Sequence, residues 1–134
     1  MDTSFLKGGC YCGEVRYEAG GAPFNETNCH CSICRRTTGA PFVAWFSVQR
    51  TQFRFVSGQP ASFRSTPRGT RSFCPSCGTQ LTFQHEDYPQ EIDVTTCSLD
   101  DPGRVPPRDH TQTGSKVGWV KLADGLAEYP ERRN

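Results

Sequence analysis

The stretch Cys74-Pro75-Ser76-Cys77-Gly78 reads as a zinc knuckle, a tight turn that brings two sulfurs together and places a glycine where positive φ lets backbone amides point at sulfur. A knuckle supplies half of a tetrahedral site, so a second pair of ligands is sought elsewhere. Cys10-Tyr11-Cys12 fits, because residues two apart in extended backbone leave the same face, and Gly8, Gly9 and Gly13 allow close approach to an ion. A third cluster, Cys29-His30-Cys31-Ser32-Ile33-Cys34, packs three thiols into six residues and can cap an ion from one side. Seven of the eight cysteines therefore make one closed four-sulfur site and one three-sulfur site with an open position. Pairing Cys10 and Cys12 with Cys74 and Cys77 is the simplest partition, since it leaves the triplet intact. Spacing alone also allows a single site with spare thiols. Cys97, after Thr95 and Thr96 at a strand end, reads as a small buried residue.

A disulfide framework is the rival explanation for eight cysteines in a chain of 134 residues. Cysteines one or two residues apart close no useful loop, whereas a disulfide gains most across a long one. The start, Met1-Asp2-Thr3-Ser4-Phe5-Leu6-Lys7, has no basic segment leading into an apolar one, so a cytoplasmic, thiol-reducing setting is expected. Iron–sulfur clusters take four thiolates each and fit seven poorly; a redox C-x-x-C would sit beside a βαβ pattern that is missing here.

The length suits one domain over residues 1–134, and no apolar run approaches the roughly 20 residues of a membrane helix, so a soluble protein is expected. Net charge of +1 hides an asymmetry: no Asp or Glu lies between Thr27 and His85, yet Arg35, Arg36, Arg50, Arg54, Arg64, Arg68 and Arg71 all do. Such a basic middle can balance the thiolates of Cys29, Cys31, Cys34, Cys74 and Cys77, or attract an anionic ligand. Nucleic acid is not expected, because these arginines are dispersed among Phe and Ser at strand-like spacing with no lysine among them.

Period-two alternation predicts short strands at Glu14–Tyr17, Val43–Val48, Phe53–Val56, Gln80–Phe83 and Glu91–Thr95. Ser57-Gly58-Gln59-Pro60 and Thr66-Pro67-Arg68-Gly69 are the turns between them. One helical turn is predicted from Ser32 to Thr38, with Ser32 as N-cap and Gly39 as stop. The fold class is thus mainly β, built of short antiparallel strands with cysteine-bearing loops. Trp45 and Phe46 alternate, so one belongs in the core and the other near a cleft.

The chain resembles the glutathione-dependent formaldehyde-activating enzyme family, which includes centromere protein V-like domains. The resemblance is carried by Gly9-Cys10-Tyr11-Cys12-Gly13-Glu14-Val15-Arg16-Tyr17, by Cys29-His30-Cys31-Ser32-Ile33-Cys34-Arg35-Arg36-Thr37-Thr38-Gly39-Ala40-Pro41-Phe42 and by Phe73-Cys74-Pro75-Ser76-Cys77-Gly78-Thr79-Gln80-Leu81. Ser98-Leu99-Asp100-Asp101-Pro102 resembles the block that follows, and Gly118, ahead of Trp119, stands where the family usually has proline. The resemblance implies a zinc-stapled β-tent with two zinc ions, one structural on Cys10, Cys12, Cys74 and Cys77, and one catalytic on Cys29, Cys31 and Cys34. It further implies a carbon–sulfur lyase that binds glutathione or a similar thiol and forms or cleaves an S-hydroxymethyl adduct with formaldehyde. Arg35 and Arg36 would then bind a carboxylate of the thiol, with His110, Lys116 and Trp119 beside it. His30, flanked by two ligands, could shuttle a proton near the metal, but adjacent side chains point apart and it is expected to pack or face solvent. The alternative is a non-catalytic zinc-binding domain that carries a thiol or contacts a protein partner.

Overall fold

Strand alternation decides which face of each element is buried, and the longest predicted strand shows it best. In a computed structural model that describes residues 5–133, Val43–Gln49 turns Phe46 and Val48 into the core and Trp45 and Ser47 to the opposite face. Residues 1–4, on which part of the leader expectation rests, lie outside the described residues.

The described residues form strands β1 (Leu6–Gly9), β2 (Arg16–Ala19), β3 (Phe24–Cys29), β4 (Val43–Gln49), β5 (Phe53–Ser57), β6 (Ala61–Thr66), β7 (Gly69–Phe73), β8 (Gln80–His85), β9 (Glu91–Thr95), β10 (Asp109–Thr111) and β11 (Ala127–Glu128), with one helix, α1 (Ser32–Thr38). They make two sheets, β1-β2-β5 and β11-β10-β3-β4-β9-β8-β7-β6. The mainly β expectation holds, and every strand pair is antiparallel except those of β10, which runs parallel to both β3 and β11. Tyr17, Ala19 and Phe53 of the small sheet join Phe46, Val48, Leu81, Ile92 and Val94 of the large one in a single apolar cluster. Fully burying such a side chain contributes about 1.5–3 kcal/mol. The large sheet's other face carries the cross-strand row Arg71, Phe83, Asp93 and Ser47, one residue from each of β7, β8, β9 and β4. No helix among the described residues is long and apolar enough to cross a membrane.

Two local expectations are corrected. The N-cap of α1 is Cys31, whose Sγ accepts from the Cys34 amide at 3.2 Å, while Ser32 is already helical; Gly39 is the stop, at φ 72°. Cys97 is exposed, in the 3-10 turn Thr96–Ser98, because Thr95 and Thr96 take the buried positions. The β5–β6 turn depends on Gly58, which has φ of 76° and would bring a Cβ to 2.1 Å from the Glu14 carbonyl oxygen. Gly58→Ala is therefore expected to lower the denaturant midpoint by the equivalent of about 2 kcal/mol or more, since left-handed strain and a backbone clash add. An unchanged midpoint would show that the turn relaxes freely.

Candidate metal centres and the cavity beside them

Cys10 and Cys12 follow β1, and Cys74 and Cys77 stand on the turn from β7 to β8. The fold brings these four sulfurs within 4.8 Å of one another, and Cys29, Cys31 and Cys34 into a second group equally tight. In the first group the Val15 amide donates to Cys10 Sγ at 3.2 Å, and the amides of Ser76 and Cys77 donate to Cys74 Sγ at 3.4 Å. Amides aimed at sulfur favour the thiolate, the form that ligates a metal. Gly78, at φ 85°, closes the knuckle by donating to the Cys74 carbonyl at 2.9 Å.

The second group is assembled from the end of β3, the α1 cap and the first turn of α1. Hydrogen bonds from the Cys29 and Cys34 thiols hold Cys31 far below the ordinary thiol range, and the same bond to Cys31 pushes Cys29 far above it. Three sulfurs so close cannot all ionise without a cation, so the donor set fits a soft divalent ion and is compatible with zinc.

Arg71, 5% exposed on β7, lies against this group. Its Nη2 is 3.7 Å from Cys34 Sγ, Nη1 reaches Thr37 Oγ1 at 3.5 Å, and Nε donates to Ser65 Oγ at 3.2 Å. The guanidinium also lies over the rings of Phe83 and Trp45, 4.9 and 5.8 Å from their centroids. It forms no ion pair with a carboxylate among the described residues. A buried cation needs compensation, and the thiolates supply it.

The three cysteines, Arg71, Trp45, Phe83 and Asp93 share the wall of a cavity of about 770 Å³. Asp93 accepts from Ser47 Oγ at 2.6 Å, and burial pushes its carboxyl up to about 6. Phe46 is the core member and Trp45 the cleft member of the alternating pair, as alternation requires.

The four arginine, lysine and tryptophan positions expected around the ligand lie outside this cavity's lining. Arg36 is exposed and Arg35 half-buried on α1, Lys116 donates to the Val120 carbonyl at 2.7 Å, and Trp119 is 73% exposed. The guanidinium beside the three sulfurs is Arg71. Its signal was an arginine in a stretch without acids, which leaves the thiolates as its natural partners. His30 does not face solvent: it is wholly buried against Phe42 and bonds to His110.

A β protein with one group of four converging cysteines, and a group of three opening on a cavity, has two centres that could each hold a metal ion, the second with room for a ligand. Residues 5–115 match the family described as glutathione-dependent formaldehyde-activating enzyme, and the chain belongs to it. A Halomonas elongata protein that carries this family's name is 29% identical over 140 residues, covering 94% of this chain and 89% of its own. An uncharacterised lyase of Schizosaccharomyces pombe is 28% identical over 79 residues, 59% of this chain and 57% of that one. The crystal structure of a Rhodobacter sphaeroides protein superposes with a TM-score of 0.60 at 22% identity, over 92% of this chain and 99% of the other, which shows the shared fold.

Proposed function

We propose that this chain is a zinc-dependent carbon–sulfur lyase that binds glutathione or a similar thiol and joins it to formaldehyde, or releases it, as the S-hydroxymethyl adduct. The observation that carries this reading is the cavity on the three-cysteine centre beside Arg71, while the four-cysteine centre has its full ligand count. Cys10, Cys12, Cys74 and Cys77 would hold a structural zinc, and Cys29, Cys31 and Cys34 a catalytic one. Zinc bound there supplies the acidity that makes a fourth-position thiol a thiolate at neutral pH. Arg71 offsets the negative charge of the three cysteinates and of an incoming thiolate. In the addition, a C–S bond forms to the carbonyl carbon, the C=O π pair moves to oxygen, and that oxygen takes a proton. Asp93 is the half-buried carboxylic acid of the cavity wall that gives it; in the reverse direction its carboxylate takes the hydroxyl proton as the C–S bond breaks.

Calorimetric titration of glutathione into protein of measured zinc content tests this, with Cys31→Ser as control. The expected result is two zincs and saturable binding in the parent, and in the variant a folded one-zinc protein whose glutathione affinity is at least about tenfold weaker. A two-zinc protein that ignores glutathione would redirect the site to another thiol or a protein partner. A Cys31→Ser variant that fails to fold would make the second centre purely structural.

A further inference from the structure

The loop carrying the three sulfurs is held from behind by a chain of three side chains, two buried and one exposed, that the reaction does not use. His30, between Cys29 and Cys31, has 0% exposure, and its Nε2 is 2.9 Å from Nδ1 of His110, itself 1% exposed. Nε2 of His110 is 2.8 Å from Oδ2 of Asp124, whose carboxyl is held below its usual range by that bond. A carboxylate only accepts, so with both rings neutral His110 donates from Nε2 to Asp124, and its bare Nδ1 accepts from His30 Nε2–H. One exposed carboxylate thereby fixes the tautomer and orientation of two buried rings. The backbone follows the same path: the His30 amide donates to the Thr111 carbonyl at 3.0 Å, and Ser115 Oγ donates to the His30 carbonyl at 3.0 Å. In the parallel β3–β10 pair, His110 stands opposite Asn28 and Thr111 opposite Cys29.

Every tie runs to the triplet loop from residues 110–124, and none touches the four-cysteine centre. The middle residue of the Cys29-His30-Cys31 run is therefore fixed at side chain, amide and carbonyl by one distant segment. Ligands gain affinity when such outer partners hold them in binding geometry before the ion arrives.

We infer that His30, His110 and Asp124 form a positioning device that presets the geometry of the three-cysteine centre independently of the four-cysteine one. This rests on the reading that Cys29, Cys31 and Cys34 hold a metal ion. The test is titration of apoprotein with Co²⁺, whose d–d bands report each tetrahedral thiolate site, followed by Zn²⁺ competition. His110→Leu is expected to weaken the second equivalent about 10–100-fold and to shift its d–d bands, with the first equivalent unchanged. His110→Gln keeps an acceptor oxygen for His30 and an N–H for Asp124, and is expected to restore both affinity and spectrum. Should His110→Leu not fold, Asp124→Ala at the exposed end is read instead, with the same loss confined to the second equivalent. Unchanged second-site affinity and bands in the folded variants would overturn the inference, as would an equal loss at both centres. A parent protein that takes up one ion only would instead sink the metal reading on which it depends.

Discussion

Cys74→Ser is expected to leave the protein largely unfolded under conditions where Cys31→Ser keeps its fold. Cys74 is fully buried, belongs to the apolar cluster, and receives amide bonds from Ser76 and Cys77. It ends the β7 segment of the large sheet, and its partners Cys10 and Cys12 follow β1 of the small one, so the four-sulfur centre cross-links the two sheets. Beyond the shared apolar cluster, the small sheet is tied to the segment after β9 by polar contacts: Tyr17 to Ser98 at 2.6 Å, and Arg16 to Asp100, a half-exposed pair of modest worth. A structural zinc contributes roughly 10–16 kcal/mol of apparent binding energy, which matches or exceeds the whole stability of an ordinary domain, about 5–15 kcal/mol. Serine is a poor zinc ligand and leaves a buried hydroxyl where two amides sought sulfur. Circular dichroism melts with zinc analysis on both variants decide the matter. A cooperative Cys74→Ser transition near that of the parent would mean that the apolar cluster holds the sheets together without the metal.

The parts of this arrangement legible in the sequence are those in which one local rule dominates. Cysteine spacing marked the seven residues whose sulfurs converge, and clean alternation marked β4, β5, β8 and β9 at or within two residues of their observed bounds. Strand β3 escaped because Phe24-Asn25-Glu26-Thr27-Asn28-Cys29 does not alternate and its pairing with β4 is interrupted by an irregularity, with Asn25 at φ 55°. Strands β6 and β7 escaped because polar residues occupy both faces of β7 and the apolar Phe63 of β6 is exposed; Arg71 was one of seven arginines that could balance the thiolates, and nothing local singled it out. Which cysteine clusters come together was open until topology brought the β1 end against the β7–β8 turn. His30 and His110 are 80 residues apart and His110 and Asp124 are 14 apart, so their contact carries no local signal. Long-range pairing, rather than propensity, made these features unreadable.

Asp93→Asn is expected to bind zinc and glutathione as the parent does and to turn over about 10²–10⁴ times more slowly, the usual range for a lost proton-transfer group. The carboxyl faces Ser47 of β4, Phe83 of β8 and the positive field of Arg71 from β7, with Glu91 two residues along its own strand. Burial is the largest influence and holds the proton on up to about 6, while the Ser47 hydrogen bond and Arg71 pull the other way. Addition needs the acid form, so its rate should fall as pH rises through about 6; cleavage needs the carboxylate and should rise over the same interval. Asparagine removes both limbs. The folded state binds the Asp93 proton more tightly than the unfolded chain, whose carboxyl titrates near 3.8, so this residue's contribution falls as pH climbs from about 4 to about 6 and stays low above it. At pH 7 the Asn variant should therefore be more stable than the parent, by about 1–3 kcal/mol. A folding role alone would not join greater stability to slower turnover and a flattened pH profile. If Asp93→Asn turns over at the parent rate with the parent's profile, the proton comes from elsewhere, and the carboxyl is there for the cavity's shape and charge alone.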